Sequence, residues 1–211
     1  MGGRRATGAE EGAAGVSGVS ERLARLVTEI FAPQVLVIGL PPVVGLVSDG
    51  WAGARWGLVA SALCGGIPAL VIAIGVRAGR LDSRHLVDRS RRTVPLLVAV
   101  VAVFAALMLL AGLGAPRLLV ATVAAMLAGL AVTVPVTLKW KISFHAAVSA
   151  GTVLVLAHVL PATPTIVGGA VVVAVVCWAR VRLAHHTVAQ VAAGALAGGG
   201  TALLTLALSG L

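Results

Sequence analysis

The chain has 211 residues, of which 59% are apolar and only 11% are Asp, Glu, Lys or Arg. A soluble domain of this size carries roughly 25% charged residues, so the composition excludes one and describes a membrane protein. Sixteen Lys and Arg stand against seven acids, the last of them Asp88, and metal chemistry built on clustered carboxylates has no such ligands from Arg89 to Leu211.

Residues 1–19 are dominated by Gly, Ala, Ser and charge, which predicts a disordered tail and shows no cleavable signal peptide. In 20–30 (SERLARLVTEI), Leu23, Leu26, Val27 and Ile30 recur at helical spacing with Glu21, Arg22 and Arg25 between them. That pattern predicts a short amphipathic helix lying at a membrane surface. Residues 31–211 read as an all-α, polytopic transmembrane bundle. Its apolar runs fall near 31–48, 56–76, 95–114, 117–137, 143–160, 164–179 and 187–210. At roughly 20 residues per crossing this predicts about six to seven spans. Pro33, Pro41, Pro42, Pro68, Pro135 and Pro161 bound or interrupt several, which membrane helices tolerate when neighbours satisfy the freed carbonyls. Gly65-Gly66 and the stretch from Gly194 to Gly200 suit close helix packing.

With seven spans, the basic residues divide unevenly. Arg55 and Arg117 fall on one side, and the remaining Lys and Arg fall on the other. The positive-inside bias then puts the N-terminus in the cytoplasm of a multi-pass cell-membrane protein. Cys64 and Cys177 lie inside apolar runs and read as small buried residues rather than a disulfide or zinc pair. Trp51, Trp56, Trp140 and Trp178 lie near span ends, as interfacial anchors do.

Three segments on the basic side carry Arg or Lys together with His: RHLVDRSRRTVP (84–95), KWKISFHA (139–146) and ARVRLAHHTVAQ (179–190). Four of the five histidines lie there: His85, His145, His185 and His186. Arginine offers paired donors to phosphate oxygens, and histidine serves as nucleophile or proton donor near neutral pH. A phosphate-bearing lipid needs this combination. Anchoring to anionic head groups uses the same basic residues without the histidines. His158, inside an apolar span, reads as a residue hydrogen-bonding or packing between helices, and His185 as a solvated neighbour of His186.

The ordered set resembles the type 2 phosphatidic acid phosphatase (PAP2) family of integral membrane lipid phosphatases. That family's pattern is a basic first motif ending in Arg-Pro, then Pro-Ser-Gly-His, then Ser-Arg, five residues, His, three residues and Asp. Here the third motif reads Ala179-Arg180, five residues, His186, three residues, Gln190. The second reads Ile142-Ser143-Phe144-His145, and in the first Arg92 stands near Pro95. The resemblance spans about Pro33 to Leu211. It implies that His186 attacks phosphorus to give a phosphohistidine and that His145 protonates the leaving lipid oxygen. Arg180, Ser143, Lys139 and first-loop residues such as Arg84 and Arg92 would hold phosphate oxygens. Gln190, in place of the family Asp, would orient His186 through its carbonyl without supplying charge.

The substrate class implied is a lipid phosphate: an isoprenyl phosphate or diphosphate, or phosphatidic acid. No metal or other cofactor and no nucleic-acid partner is expected. The missing Asp keeps two alternatives in view, an isoprenoid diphosphate-binding cyclase or transferase and a non-catalytic lipid-phosphate binder or flippase.

Overall fold

The computed structural model describes residues 18–79 and 93–211. The expected tail and the first basic loop, with Arg84 and Arg92, lie outside the described residues. What is described is helical, with no strand among the described residues.

Helix α1 covers 18–30. Val19, Leu23, Leu26 and Ile30 form one exposed stripe on it, while Ala24 and Thr28 are buried on the opposite face. Arg25 pairs with Glu21 one turn away, and that hydrogen bond, reinforced by the guanidinium charge, holds the Glu21 carboxyl below its usual range. Ser20 accepts a hydrogen bond from Nε of Arg182 at 3.1 Å, which ties α1 to the end of a later helix.

Helix α2 (Pro33–Ser61) is a hairpin. Asp49 and Gly50 leave helical geometry, with Gly50 at φ 62°, a conformation glycine adopts without steric cost. The halves 33–48 and 51–61 then run back along each other. A methyl group at Gly45 would overlap the Gly53 carbonyl, and one at Gly57 would overlap that of Pro41, so the two backbones touch where only hydrogen atoms separate them. Pro42 has no N–H for the Ile38 carbonyl, and the Ser61 hydroxyl donates to it instead. The second half therefore begins directly after Gly50, not near residue 56. A π-helical turn (Ala62–Gly66) leads into α3 (Ile67–Arg77).

Four further long helices and one shorter one complete the bundle: α4 (Thr93–Gly112), α5 (Arg117–Lys139), α6 (Phe144–Val159), α7 (Ala162–Arg182) and α8 (Val188–Leu208). Among the described residues, five helical stretches are long and apolar enough to cross a membrane: Pro33–Arg77, Val94–Gly112, Arg117–Lys139, Ala162–Arg182 and Val188–Leu208. Bulky apolar side chains such as Phe104, Val171, Leu196 and Leu204 face outward, as lipid-facing residues do.

Helix α5 lies between two cores. On one side Leu119 and Val123 pack with Ala60, Cys64, Val103 and Leu110. On the other, Ala121 and Ala125 pack with Leu40, Val44, Val155 and Leu206. Trp56 packs against the first core, whereas Trp51, Trp140 and Trp178 are exposed. Among the described helices, α6 and α8 share the most extensive contact. Ser143, Ala147 and Gly151 on one chain segment meet Gly194, Gly198 and Ala202 on the other, each set four residues apart. A methyl at Gly194 would overlap the Ser143 carbonyl, one at Gly198 the Ala147 carbonyl, and one at Gly151 would lie 3.2 Å from the Gly198 carbonyl. Residue numbers rise together along both helices, so α6 and α8 run parallel and start on the same face.

Candidate functional site

Two of the three motif segments fall within the described residues, and both sit at helix boundaries. Helix α7 ends in a Schellman motif: the His185 N–H reaches the Arg180 carbonyl at 3.1 Å and the Ala184 N–H reaches Val181 at 2.9 Å. The left-handed position this motif requires is filled by Ala184 at φ 53° rather than by glycine. The His186 N–H also reaches the Arg180 carbonyl, at 3.3 Å. The tight turn thus brings His186 back beside the arginine six residues earlier.

Thr187 then caps α8. Its hydroxyl accepts the Gln190 N–H at 3.3 Å, and the Gln190 side-chain oxygen accepts the Thr187 N–H at 3.2 Å, which completes a capping box. The same oxygen lies 3.2 Å from Nδ1 of His186. Because the Thr187 N–H must meet an acceptor, the amide oxygen is the atom in that position. His186 therefore donates from Nδ1, which in the neutral ring leaves the lone pair on Nε2. The Gln190 side-chain oxygen is thus within hydrogen-bonding distance of the imidazole.

The second segment enters from α5 through an extended backbone at Trp140. Ser143 is fully buried and caps α6, its hydroxyl accepting the Ala146 N–H at 3.4 Å, and its own N–H reaches the Gln190 carbonyl at 3.3 Å. That bond links the start of α6 to the first turn of α8. His145 follows in the first turn of α6.

His145, Arg180 and His186 are 5%, 3% and 9% exposed, and all three line one cavity of about 220 Å³. Ile142 and Phe144, on either side of Ser143, reach its wall. Most of the remaining lining is apolar, from α2 to α6 and α8. A guanidinium always carries its charge, and the starts of α6 and α8 add the positive ends of two parallel helix dipoles on that face. This end of the cavity suits an anion, and the rest suits hydrocarbon. No three His, Cys, Asp or Glu side chains gather into a metal-binding group among the described residues.

Other expected residues do not line this cavity. Lys139 is exposed as the last residue of α5. His185 is half-buried in the turn. His158 is exposed in the last turn of α6, at the opposite end from His145, rather than packed between helices. Sequence reasoning missed Gln34, which lines the cavity from the first turn of α2. The one signal for it was an amide within an otherwise apolar run. It also missed the capping box, although Thr187-x-x-Gln190 carries that signature.

No protein-family model, no curated protein and no solved structure matches this chain.

Proposed function

We propose that this chain is a PAP2-type membrane lipid phosphatase that removes phosphate or diphosphate from a lipid. The observation that supports it is that His145, Arg180 and His186 all line one cavity, near where two parallel helices begin. In this reading the chain crosses the membrane seven times, because the α2 hairpin contributes the first crossing and part of the second. The N-terminus and the site then face the cytoplasm.

In the first step Nε2 of His186 attacks phosphorus, forming an N–P bond as the P–O bond to the lipid breaks. His145 gives its proton to the departing lipid oxygen. Arg180 and the two helix starts hold the equatorial oxygens, joined by Arg84 and Arg92 from the first loop. Lys139, exposed at the end of α5, does not line the cavity. In the second step His145 takes a proton from water, whose oxygen displaces the histidine from phosphorus and releases phosphate. Ser143 supports both steps by capping α6 and holding it to α8. Gln190 keeps Nδ1 protonated but adds no negative charge as the ring becomes cationic, so hydrolysis is slow.

The neutral Gln190 also favours a second reading, in which the same pocket binds a lipid phosphate without turning it over. Phosphate release by purified protein separates the two. The assay uses isoprenyl monophosphates, isoprenyl diphosphates and phosphatidic acid, with chelator present. Release that disappears in His186→Ala supports the phosphatase; folded protein inert toward every substrate removes it. Orientation is tested by single cysteines in 84–92 of intact cells. Their modification by an impermeant thiol reagent would sink the cytoplasmic assignment.

A further inference from the structure

We infer that the cavity beneath the histidines measures a single hydrocarbon chain, so that the substrate is a one-tailed lipid phosphate of farnesyl length and not a two-tailed phosphatidic acid. The inference rests on the proposed phosphate end of the site and goes on to name the tail.

Three features of the cavity carry it. The first is depth. Its walls run from Phe144 to Val155 along α6 and from Thr133 to Thr122 along α5. Both stretches give a depth of about 16 Å at the helical rise, the reach of roughly three isoprene units. The second is volume. At about 220 Å³ the space lies below the roughly 300–1,000 Å³ of pockets that hold drug-sized ligands, too little for two acyl chains side by side. The third is closure at the far end. Leu40, Ala125, Val155 and Ala202 belong both to the lining there and to a buried core cluster, so the cavity ends against packed side chains.

Glycine sets the width part-way down. Gly129 lines the cavity one turn below Thr133, and a methyl placed on it would have the Thr201 hydroxyl at 3.6 Å as its nearest neighbour. That is ordinary contact, so the backbone tolerates a side chain there and the added volume enters the cavity. Thr122, fully buried, forms part of the far end, and its hydroxyl is bonded within its own helix to the Leu118 carbonyl at 2.8 Å. Gly129→Leu therefore shortens the cavity, and Thr122→Ala deepens it.

The test uses the full-length protein in detergent or nanodiscs, with two readouts. Binding is measured as thermal stabilisation by non-hydrolysable prenyl phosphonates of one to four isoprene units and by a diacylglycerol phosphonate. Turnover is measured with the corresponding phosphates. Wild-type binding is expected to rise to about three units and then level or fall, with the two-tailed ligand weaker. Gly129→Leu should weaken the three-unit ligand by roughly tenfold or more while sparing the one-unit ligand. Thr122→Ala should move the optimum toward four units, which keeps the inference testable if the leucine variant fails to fold. Length-dependent binding without turnover leaves the measured chain standing and removes the phosphatase. Turnover that ignores chain length, or equal binding of the two-tailed ligand, overturns the single-chain inference and leaves the phosphatase. Binding of none of the ligands overturns both.

Discussion

Two seams in this molecule use the same packing device and build different things. In the α2 hairpin, Gly45 meets Gly53 and Gly57 meets Pro41 along antiparallel helices. Between α6 and α8, Gly194 and Gly198 meet Ser143 and Ala147 along parallel ones. Small residues let backbones approach in both, and dispersion across the contact supplies the attraction. In the hairpin the two dipoles oppose and cancel. In the α6–α8 seam they add, and both positive ends reach the face that carries His145 and His186. Parallel neighbours require a connection across the bundle, which α7 provides, and α7 delivers Arg180 at its end. Helix direction, rather than packing chemistry, separates the seam beside the candidate site from the hairpin seam.

Substitutions can break that distinction. Gly198→Val drives a branched side chain into the Ala147 carbonyl and should cost about 3 kcal/mol or more. Thermal unfolding should shift sharply, and phosphate release should vanish even from the folded fraction. On the same seam, Gln190→Glu keeps the capping box and adds the missing charge beside His186. Phosphate release should rise by roughly tenfold or more, bounded by the ~10⁴-fold effect of the matching change in a serine protease triad. An unchanged or lower rate would show that Gln190 only orients the ring.

In the hairpin, Gly53→Val meets the Gly45 carbonyl and should destabilise by about 1–3 kcal/mol. Turnover per folded molecule should stay near wild type, as measured by active-site titration. If it falls as far as in Gly198→Val, the two seams are not functionally distinct. Ala184→Gly should have the smallest effect. It relieves a left-handed alanine worth about 1 kcal/mol, reduced by the greater freedom of glycine in the unfolded chain. A small rise in melting temperature with little change in rate is expected.

Much of this fold is legible in the sequence, because hydrophobic runs of membrane length leave few alternatives. The helices α4, α5, α7 and α8 begin and end within a few residues of the runs that predict them. The reversal at Asp49–Gly50 is less legible, since residues 51–55 read as a loop and are helical. At the site, the spacing of Arg180, His186 and Gln190 anticipates a contact that the structure contains. Ser143 appears in the motif as a phosphate ligand, yet its hydroxyl is engaged as a helix cap, a role that the same residue type fills equally well. Gln34 and the depth of the cavity leave little trace in the chain order, because the cavity's walls come from helices distant in sequence.

Helix α6 has 16 residues, against 23 in α5 and 21 in α8. At the helical rise it covers only ~24 Å, less than the ~30 Å hydrocarbon thickness of a bilayer. The shortfall lies at the site end, where Ser143 sits beside Gln190 and Gly194, below the first residue of α8. Backbone that is not helical survives at such depth only when protein encloses it and something accepts its N–H groups, and for Ser143 the Gln190 carbonyl does so. The start of α6, with Ser143 and His145, is thereby sunk below the first residue of α8. For a lipid substrate, the head group would descend to meet His145 and His186 while the tail stays in an oily setting throughout, so no hydrocarbon has to cross water on the way in.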